Sequence, residues 1–193
     1  MQTKEEIRKM VAERKQAIGD TREASRQVVA RLMTLPEIKY CSIIMTYVDF
    51  GKEVRTVPLI SELFNRGKRL VVPYIDRDEI QIFRLNNLNE LAPGAFGILE
   101  PKIELRRLSE RRIKTNELQL ILVPGVAFDP QCGRLGRGKG YYDRFLKKTP
   151  KNAHKIGLAF DWQIIDAIPM SDDDRFVDIV VTESNLFARN LAQ

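Results

Sequence analysis

Apolar residues recur along much of the chain at the spacing of amphipathic helices. The first such segment opens with the capping box formed by Thr3 and Glu6. Pro58 lies in the first turn of another, where the backbone amides have no intrahelical partner to lose. Helices are predicted over residues 3–18, 21–34, 56–66 and 140–148.

Runs of β-branched and aromatic residues alternate with these helices and predict strands. The predicted strands cover residues 41–47, 69–74, 80–85, 118–123, 155–160 and 178–182. The run at 118–123, LQLILV, is almost continuously apolar, as in a strand buried on both faces of a parallel sheet. A helical turn is predicted around 163–166, and residues 86–117 are predicted to be irregular.

The alternation of strands and helices predicts the fold class. We expect an α/β protein, a three-layer α/β/α sandwich with a mostly parallel central sheet. The 193 residues fit a single domain over 1–193, since domains usually contain roughly 100–200 residues.

The amino-acid composition excludes several kinds of site and favours one kind of partner. Two cysteines, Cys41 and Cys132, and one histidine, His154, are too few for a four-cysteine zinc site, a disulfide framework or a histidine-rich metal site. The 32 basic and 26 acidic residues give a net charge of +6, which favours an anionic partner, either nucleic acid or a phosphorylated small molecule. The charged N-terminal segment and the lack of a long apolar run predict a cytoplasmic protein with no membrane partner.

The densest chemical signal is residues 133–144, GRLGRGKGYYDR, after the most apolar strand. Four glycines and four cations share this segment: Gly133, Gly136, Gly138, Gly140, Arg134, Arg137, Lys139 and Arg144. Glycines let successive backbone amides turn toward one anion, and cations complete a cage for phosphates. The segment predicts a phosphate site, against the alternative of a flexible loop with solvated charges.

This loop fits neither of the two common phosphate-binding motifs. Gly140 stands where a P-loop carries Ser or Thr, and the G-x-G-x-G spacing departs from the dinucleotide fingerprint. A magnesium ion would therefore need carboxylates. Asp143 is one candidate, and Asp178 is expected to project toward the same edge of the sheet. Their structural alternatives are stabilisation of a helix N-terminus and capping of a strand.

The segment Val123–Leu146 resembles the signature of the 5-formyltetrahydrofolate cyclo-ligase family, also called methenyltetrahydrofolate synthetases. Shorter pieces follow in the family's order over nearly the whole chain: Lys4 with Arg8, Glu53-Val54, GILEP at 97–101 and the LAFDWQ…IP…D…VDIVVTE pattern. The resemblance implies the three-layer sandwich and use of ATP and Mg²⁺ to cyclise 5-formyltetrahydrofolate to 5,10-methenyltetrahydrofolate, with release of ADP and phosphate.

The resemblance also implies that the formyl oxygen attacks the γ-phosphate, after which N10 closes the imidate phosphate and phosphate leaves. The partners implied are small molecules, without nucleic acid, in a monomer or weak homo-oligomer.

The resemblance also implies roles for individual residues. Arg137 and Lys139 would be catalytic, and Asp143 and Asp178 would hold Mg²⁺. ATP would contact Lys4, Arg8, Arg134, Leu135, Gly136, Arg137, Gly138, Lys139, Gly140, Tyr141 and Tyr142. The folate would contact Val48, Glu53, Arg137, Gly138, Lys139, Gly140 and Tyr141. The alternatives are a solvated helix face for Lys4 and Arg8, an exposed loop acid for Glu53, and a core position for at least one of the two tyrosines.

Two positions depart from the family pattern. Asp173 stands before Asp174 where many members have His before Asp. Trp162 is also unexpected before Gln163, where it would border the folate or pack in the core.

Two other functions fit the residues. The same architecture occurs in sugar-phosphate isomerases and CoA transferases, and an isomerase would turn over without nucleotide. A nucleic-acid-binding protein would suit the basic pI, but no helix-turn-helix, zinc finger or aromatic RNP-like strand is found. The basic residues outside the loop are dispersed among acids.

Overall fold

A seven-stranded sheet forms the centre of the computed structural model, which describes residues 2–94 and 97–189. The strands are β1 (Ile43–Met45), β2 (Arg69–Asp76), β3 (Glu79–Leu85), β4 (Leu91–Pro93), β5 (Leu99–Pro101), β6 (Leu120–Val123), β7 (Ala127–Phe128), β8 (Arg134–Leu135), β9 (His154–Leu158), β10 (Ile179–Val181) and β11 (Leu186–Ala188). The helices are α1 (Lys4–Ala17), α2 (Arg22–Leu32), α3 (Pro36–Tyr40), α4 (Val57–Asn65) and α5 (Tyr141–Lys147).

The sheet has the order β11-β10-β9-β6-β1-β2-β3. Its five inner strands run parallel, whereas β3 and β11 are antiparallel at the two edges. All four residues of β6 are buried, which confirms the prediction from its continuous apolar run. The mostly parallel sheet is therefore confirmed.

Alternate residues of the strands face two different cores. Ile44 packs with α2, α3 and α4 on one face of the sheet, and its neighbours Ile43 and Met45 pack with α5 on the other. Helix α1 packs on the hairpin of β7 and β8 through Ile7 and Val11. Helices thus cover both faces of the sheet, as the predicted three-layer sandwich requires.

Most predicted elements are present, with some differences in extent. The capping box of Thr3 and Glu6 starts α1, and Pro58 lies in the first turn of α4. Pro36 begins the short helix α3, which was not predicted from the sequence. The helical turn after β9 covers Asp161–Gln163, earlier than expected. The region predicted as irregular contains the hairpin of β4 and β5.

No helix within the described part of the chain is both long enough and apolar enough to cross a membrane.

Candidate functional site

Residues 136–140 form a loop between β8 and α5, here called the glycine-rich loop. Gly138 and Gly140 have φ values of +99° and +65°, in the left-handed region that favours glycine. Val126 lies just after the end of β6, and its amide donates a hydrogen bond to the backbone oxygen of Leu135 at 2.7 Å. This bond holds the glycine-rich loop at the carboxyl-terminal edge of the sheet, where ligands of open α/β sheets bind.

The cations of this segment have different environments. The Arg134 side chain is only 2% exposed, and its Nη2 donates to Asp143 Oδ1 at 2.7 Å. Its guanidinium also lies 5.7 Å from the centroid of the Tyr142 ring. Arg134 therefore points into the protein, and its guanidinium binds Asp143 instead of projecting into solvent. Leu135 is likewise buried, in the core beneath α1, so its side chain is also inaccessible.

Arg137 and Lys139 project from the glycine-rich loop into solvent. Arg137 donates to Glu53 Oε1 at 2.7 Å, an ion pair between positions 84 residues apart. The Lys139 ammonium lies over the Tyr141 ring, 5.8 Å from its centroid. These two cations, unlike Arg134, are accessible to a ligand.

Arg144 and Tyr141 brace the loop from α5. Arg144 donates to the backbone oxygens of Lys139 at 2.8 Å and Asp78 at 3.1 Å. The Tyr141 hydroxyl donates to the Asp78 carboxylate at 3.1 Å. Asp78 lies in the turn between β2 and β3. These hydrogen bonds therefore connect the glycine-rich loop to that turn, at the same edge of the sheet.

Tyr142 is the core member of the tyrosine pair, since it packs against the α5 side of the sheet. Its hydroxyl is buried and has no hydrogen-bond partner among the described residues. Burial strongly raises its pKa, and nearby Glu53 adds to the rise whereas Arg134 opposes it. Tyr142 is therefore a neutral phenol at physiological pH.

Lys4 and Arg8 lie one turn apart on α1 and contact different segments of the chain. Arg8 Nε donates to the Gly136 oxygen at 3.0 Å, and its guanidinium lies against Gly138. The Lys4 ammonium forms an ion pair with the carboxylate of Asp174. Neither residue is simply part of a solvated helix face.

Residues 48–56, the larger part of the loop between β1 and α4, carry two of the predicted folate-binding residues, Val48 and Glu53. The Glu53 side chain is 18% exposed, and its Oε2 accepts a hydrogen bond from the Phe50 amide at 3.0 Å. The ion pair with Arg137 therefore joins this loop to the glycine-rich loop. Val48 is buried in the core beside Tyr47 and offers little side-chain surface to a ligand.

The two predicted magnesium ligands have separate protein partners. Asp143 Oδ1 accepts from Arg134 and, at 3.1 Å, from the Arg175 backbone amide. Asp178 lies at the start of β10, where its Oδ2 accepts from the Lys155 amide at 2.7 Å. The expectation that Asp178 projects from the same sheet edge as the loop is not met, because it precedes β10 rather than following it. The segment that leads into β10 contains both Asp178 and Arg175, and the Arg175 amide binds Asp143.

The two departures from the family pattern differ in importance. Asp173 is 93% exposed and pairs with Lys147 on the surface, so the change from histidine lies outside the core. Trp162 stacks with Phe160 at a centroid distance of 6.0 Å. It also packs between the core that contains Ile44 and the smaller core beneath α1 that contains Ile7. The packing alternative for Trp162 is therefore the one that the structure supports.

Sequence reasoning missed Asp129, which organises the turn before the glycine-rich loop. This carboxylate is buried, and it accepts from the amides of Gln131, Gly133 and Ile168 at distances of 2.7–3.0 Å. An Asp-Pro pair directly after a short apolar run is a turn signal that would have identified it.

These features define a three-layer α/β protein whose cationic, glycine-rich loop lies at the carboxyl-terminal edge of a parallel sheet. The model of the 5-formyltetrahydrofolate cyclo-ligase family matches residues 1–183. The chain belongs to this family, and it is an enzyme of the ligase class.

Individual relatives agree with this assignment. A Schizosaccharomyces pombe protein, named a probable 5-formyltetrahydrofolate cyclo-ligase, is 33% identical over 181 residues, which cover 86% of this chain and 87% of its own. The 5-formyltetrahydrofolate cyclo-ligase of Escherichia coli K12 is 28% identical over 184 residues, covering 92% and 99%. The NMR structure of Aquifex aeolicus 5,10-methenyltetrahydrofolate synthetase matches with a TM-score of 0.84 and 35% identity, covering 98% of this chain and 94% of that one.

Proposed function

We propose that this protein converts 5-formyltetrahydrofolate to 5,10-methenyltetrahydrofolate in a reaction that consumes ATP and requires Mg²⁺. The observation that carries the proposal is the 2.7 Å ion pair between Arg137 and Glu53. It joins the loop suited to phosphates with the loop suited to the folate, so the two substrates would bind side by side. Both loops lie where ligands of such sheets bind.

The ATP phosphates would bind along residues 136–140. Positive φ values at Gly138 and Gly140 allow the backbone to approach an anion closely. Lys139 and Arg137 supply exposed positive charge, and Arg8 fixes the start of the loop through the Gly136 oxygen. Arg134 acts from inside, by holding Asp143.

The chemistry would be phosphoryl transfer followed by ring closure. The formyl oxygen attacks the γ-phosphorus, the bond to the β–γ bridging oxygen breaks, and ADP leaves. N10 then attacks the formyl carbon and loses its proton as the carbon–oxygen bond breaks and phosphate leaves. The loop's task in both steps is positioning and charge stabilisation, so the chain needs no nucleophilic side chain.

A magnesium ion at this site would take few of its ligands from the protein. Within residues 2–94 and 97–189, no three His, Cys, Asp or Glu side chains group as a metal site. Mg²⁺ commonly takes one or two carboxylates plus substrate phosphates and waters. Asp143 would hold it, since it uses only one carboxylate oxygen in the protein hydrogen bonds described above. Asp178 lies at the opposite, amino-terminal edge of the sheet and would not share the ion. When bound, the ion would neutralise charge on the phosphates.

The test is an absorbance assay for the methenyl product, with ATP or Mg²⁺ omitted in turn and ADP measured in parallel. We expect product only in the complete mixture, with one ADP per methenyl group formed. Product formation without ATP would contradict the proposal.

A matched pair of lysine variants tests the role of the loop. Lys139→Ala should lower kcat/KM by about 30- to 1000-fold, which corresponds to about 2–4 kcal/mol of lost transition-state stabilisation. Lys148→Ala should leave kcat/KM unchanged, because Lys148 pairs with Glu79 on the surface at the far end of α5. Equal effects of the two substitutions would refute the role assigned to Lys139.

A further inference from the structure

Lys52 precedes Glu53 in the loop between β1 and α4, and its side chain reaches the end of another element. Its ammonium donates to the backbone oxygen of Lys15 at 2.9 Å and also to that of Ile18. These oxygens belong to the last turn and C-cap of α1. Carbonyls at a helix C-terminus lack intrahelical partners and carry partial negative charge, so a cation there is stabilised.

The base of the 48–56 loop is held by other contacts. Asp49 Oδ1 accepts from the amides of Thr56 at 2.8 Å and Val57 at 3.1 Å, which closes the loop onto the start of α4. The Glu53 amide donates to the Phe50 oxygen at 3.4 Å, which closes the tip. Lys52 is the residue that fastens this tip to α1.

The same helix is fastened to the glycine-rich loop at its other end. Arg8 of α1 binds the Gly136 oxygen, and Arg137 of the glycine-rich loop binds Glu53. Lys52 therefore completes a closed ring of contacts that runs from α1 through the 48–56 loop and the glycine-rich loop back to α1. Because each link is a charged side chain of limited reach, the ring sets the separation of Glu53 from residues 136–140.

We propose that Lys52 is a positioning residue, which holds Glu53 at the distance from the glycine-rich loop that folate binding requires. The proposal rests on the function proposed above. It requires no contact between Lys52 and either substrate.

The chain offers a close structural control in Lys68. Its ammonium donates to the oxygens of Lys39 at 2.7 Å and Cys41 at 2.9 Å, the last turn and C-cap of α3. Lys52 and Lys68 are both partly buried and cap helices in the same way. Lys68, however, precedes β2 at the amino-terminal edge of the sheet, away from both loops of the site. Its removal therefore reports the cost of losing such a cap alone.

The experiment compares Lys52→Met, Lys52→Arg and Lys68→Met with the wild-type protein. Steady-state kinetics with each substrate varied give separate KM values, and hydrogen exchange measures protection of the Phe50 and Glu53 amides. We expect Lys52→Met to raise the KM for 5-formyltetrahydrofolate about tenfold, as displacement of a binding group does, with the KM for ATP nearly unchanged. Exchange at the two amides should accelerate. Lys52→Arg should restore both, and Lys68→Met should alter neither.

Equal folate KM values in Lys52→Met and Lys68→Met would overturn the positioning role. So would unchanged exchange at the tip of the 48–56 loop in Lys52→Met. Absence of methenyl product from the wild-type protein would instead contradict the proposed function, and the exchange experiment would still decide whether Lys52 holds the loop. If Lys52→Met does not fold, Lys52→Gln provides a substitution that retains a hydrogen-bond donor, and the same outcomes apply to it.

Discussion

The ion pair of Arg134 and Asp143 is buried. It therefore distinguishes Arg134, whose role is structural, from Arg137 and Lys139, which are exposed to a ligand. The Arg134 side chain is 2% exposed and that of Asp143 is 17% exposed, with 2.7 Å between Nη2 and Oδ1. Arg134 Nη1 has one further, longer contact, at 3.4 Å to the Pro124 oxygen. Asp143→Ala would thus leave a buried guanidinium with little compensation.

Removing one partner of a buried pair costs about 3–5 kcal/mol. The value for Asp143→Ala should fall near the lower end, at about 3 kcal/mol, because Asp143 is partly exposed. Arg134→Met should cost less, about 1–3 kcal/mol, since the remaining Asp143 keeps its bond from the Arg175 amide. The double variant Arg134→Met/Asp143→Leu should recover at least about 1 kcal/mol relative to the sum of the separate substitutions, because no buried charge remains.

Urea unfolding followed by circular dichroism measures these free energies. The KM for ATP of Arg134→Met, measured on the folded protein, provides the second readout. If Arg134 were a phosphate ligand exposed to solvent, its substitution would raise the KM for ATP and leave the free energy of unfolding unchanged. That pair of results would refute the structural role assigned here.

Three further predictions follow from the same geometry. Arg137→Met should lower the free energy of unfolding by less than about 1 kcal/mol, because its pair with Glu53 is partly exposed, yet reduce kcat/KM; an unfolding cost like that of Asp143→Ala would contradict this. Gly140→Ala should lower the free energy of unfolding by about 1–2 kcal/mol, since φ is +65° and Arg144 Nη1 lies 3.1 Å from the position of the new Cβ. The control in the same unfolding assay is Gly19→Ala, because no atom lies within 4 Å of the Cβ that it would add. Burial, together with the nearby Asp129, raises the pKa of Cys132 to about 11. Because an unfolded thiol ionises near a pKa of about 8.5, the unfolded state loses its proton first and stability should fall as pH rises between these values; Cys132→Ser should remove that part of the pH dependence.

Six of the seven strands of the central sheet could be predicted from sequence because apolar runs mark them, whereas the three-residue edge strand β11 was missed. The continuous run in β6 indicated burial on both faces, and β6 is the middle strand of the sheet. The hairpin of β7 and β8 was missed because strands of two residues show no periodicity. Helix α3 was missed because its five residues form little more than one turn, which is too short to show an apolar periodicity.

The location of the candidate site was predictable, but the direction of its charged side chains was not. Glycine spacing located the loop, and positive φ at Gly138 and Gly140 agrees with that spacing. Composition cannot distinguish Arg134 from Arg137, because burial of one and exposure of the other depend on partners brought together by the fold. Asp143 lies nine positions from Arg134, and Glu53 lies 84 positions from Arg137.

The most direct test of the central claim is a crystal structure with a non-hydrolysable ATP analogue, Mg²⁺ and 5-formyltetrahydrofolate. We predict that the triphosphate lies on the backbone amides of residues 136–140, with the folate beside Glu53 and its formyl oxygen facing the γ-phosphate. A triphosphate bound elsewhere, with residues 136–140 making no contact to it, would contradict the account.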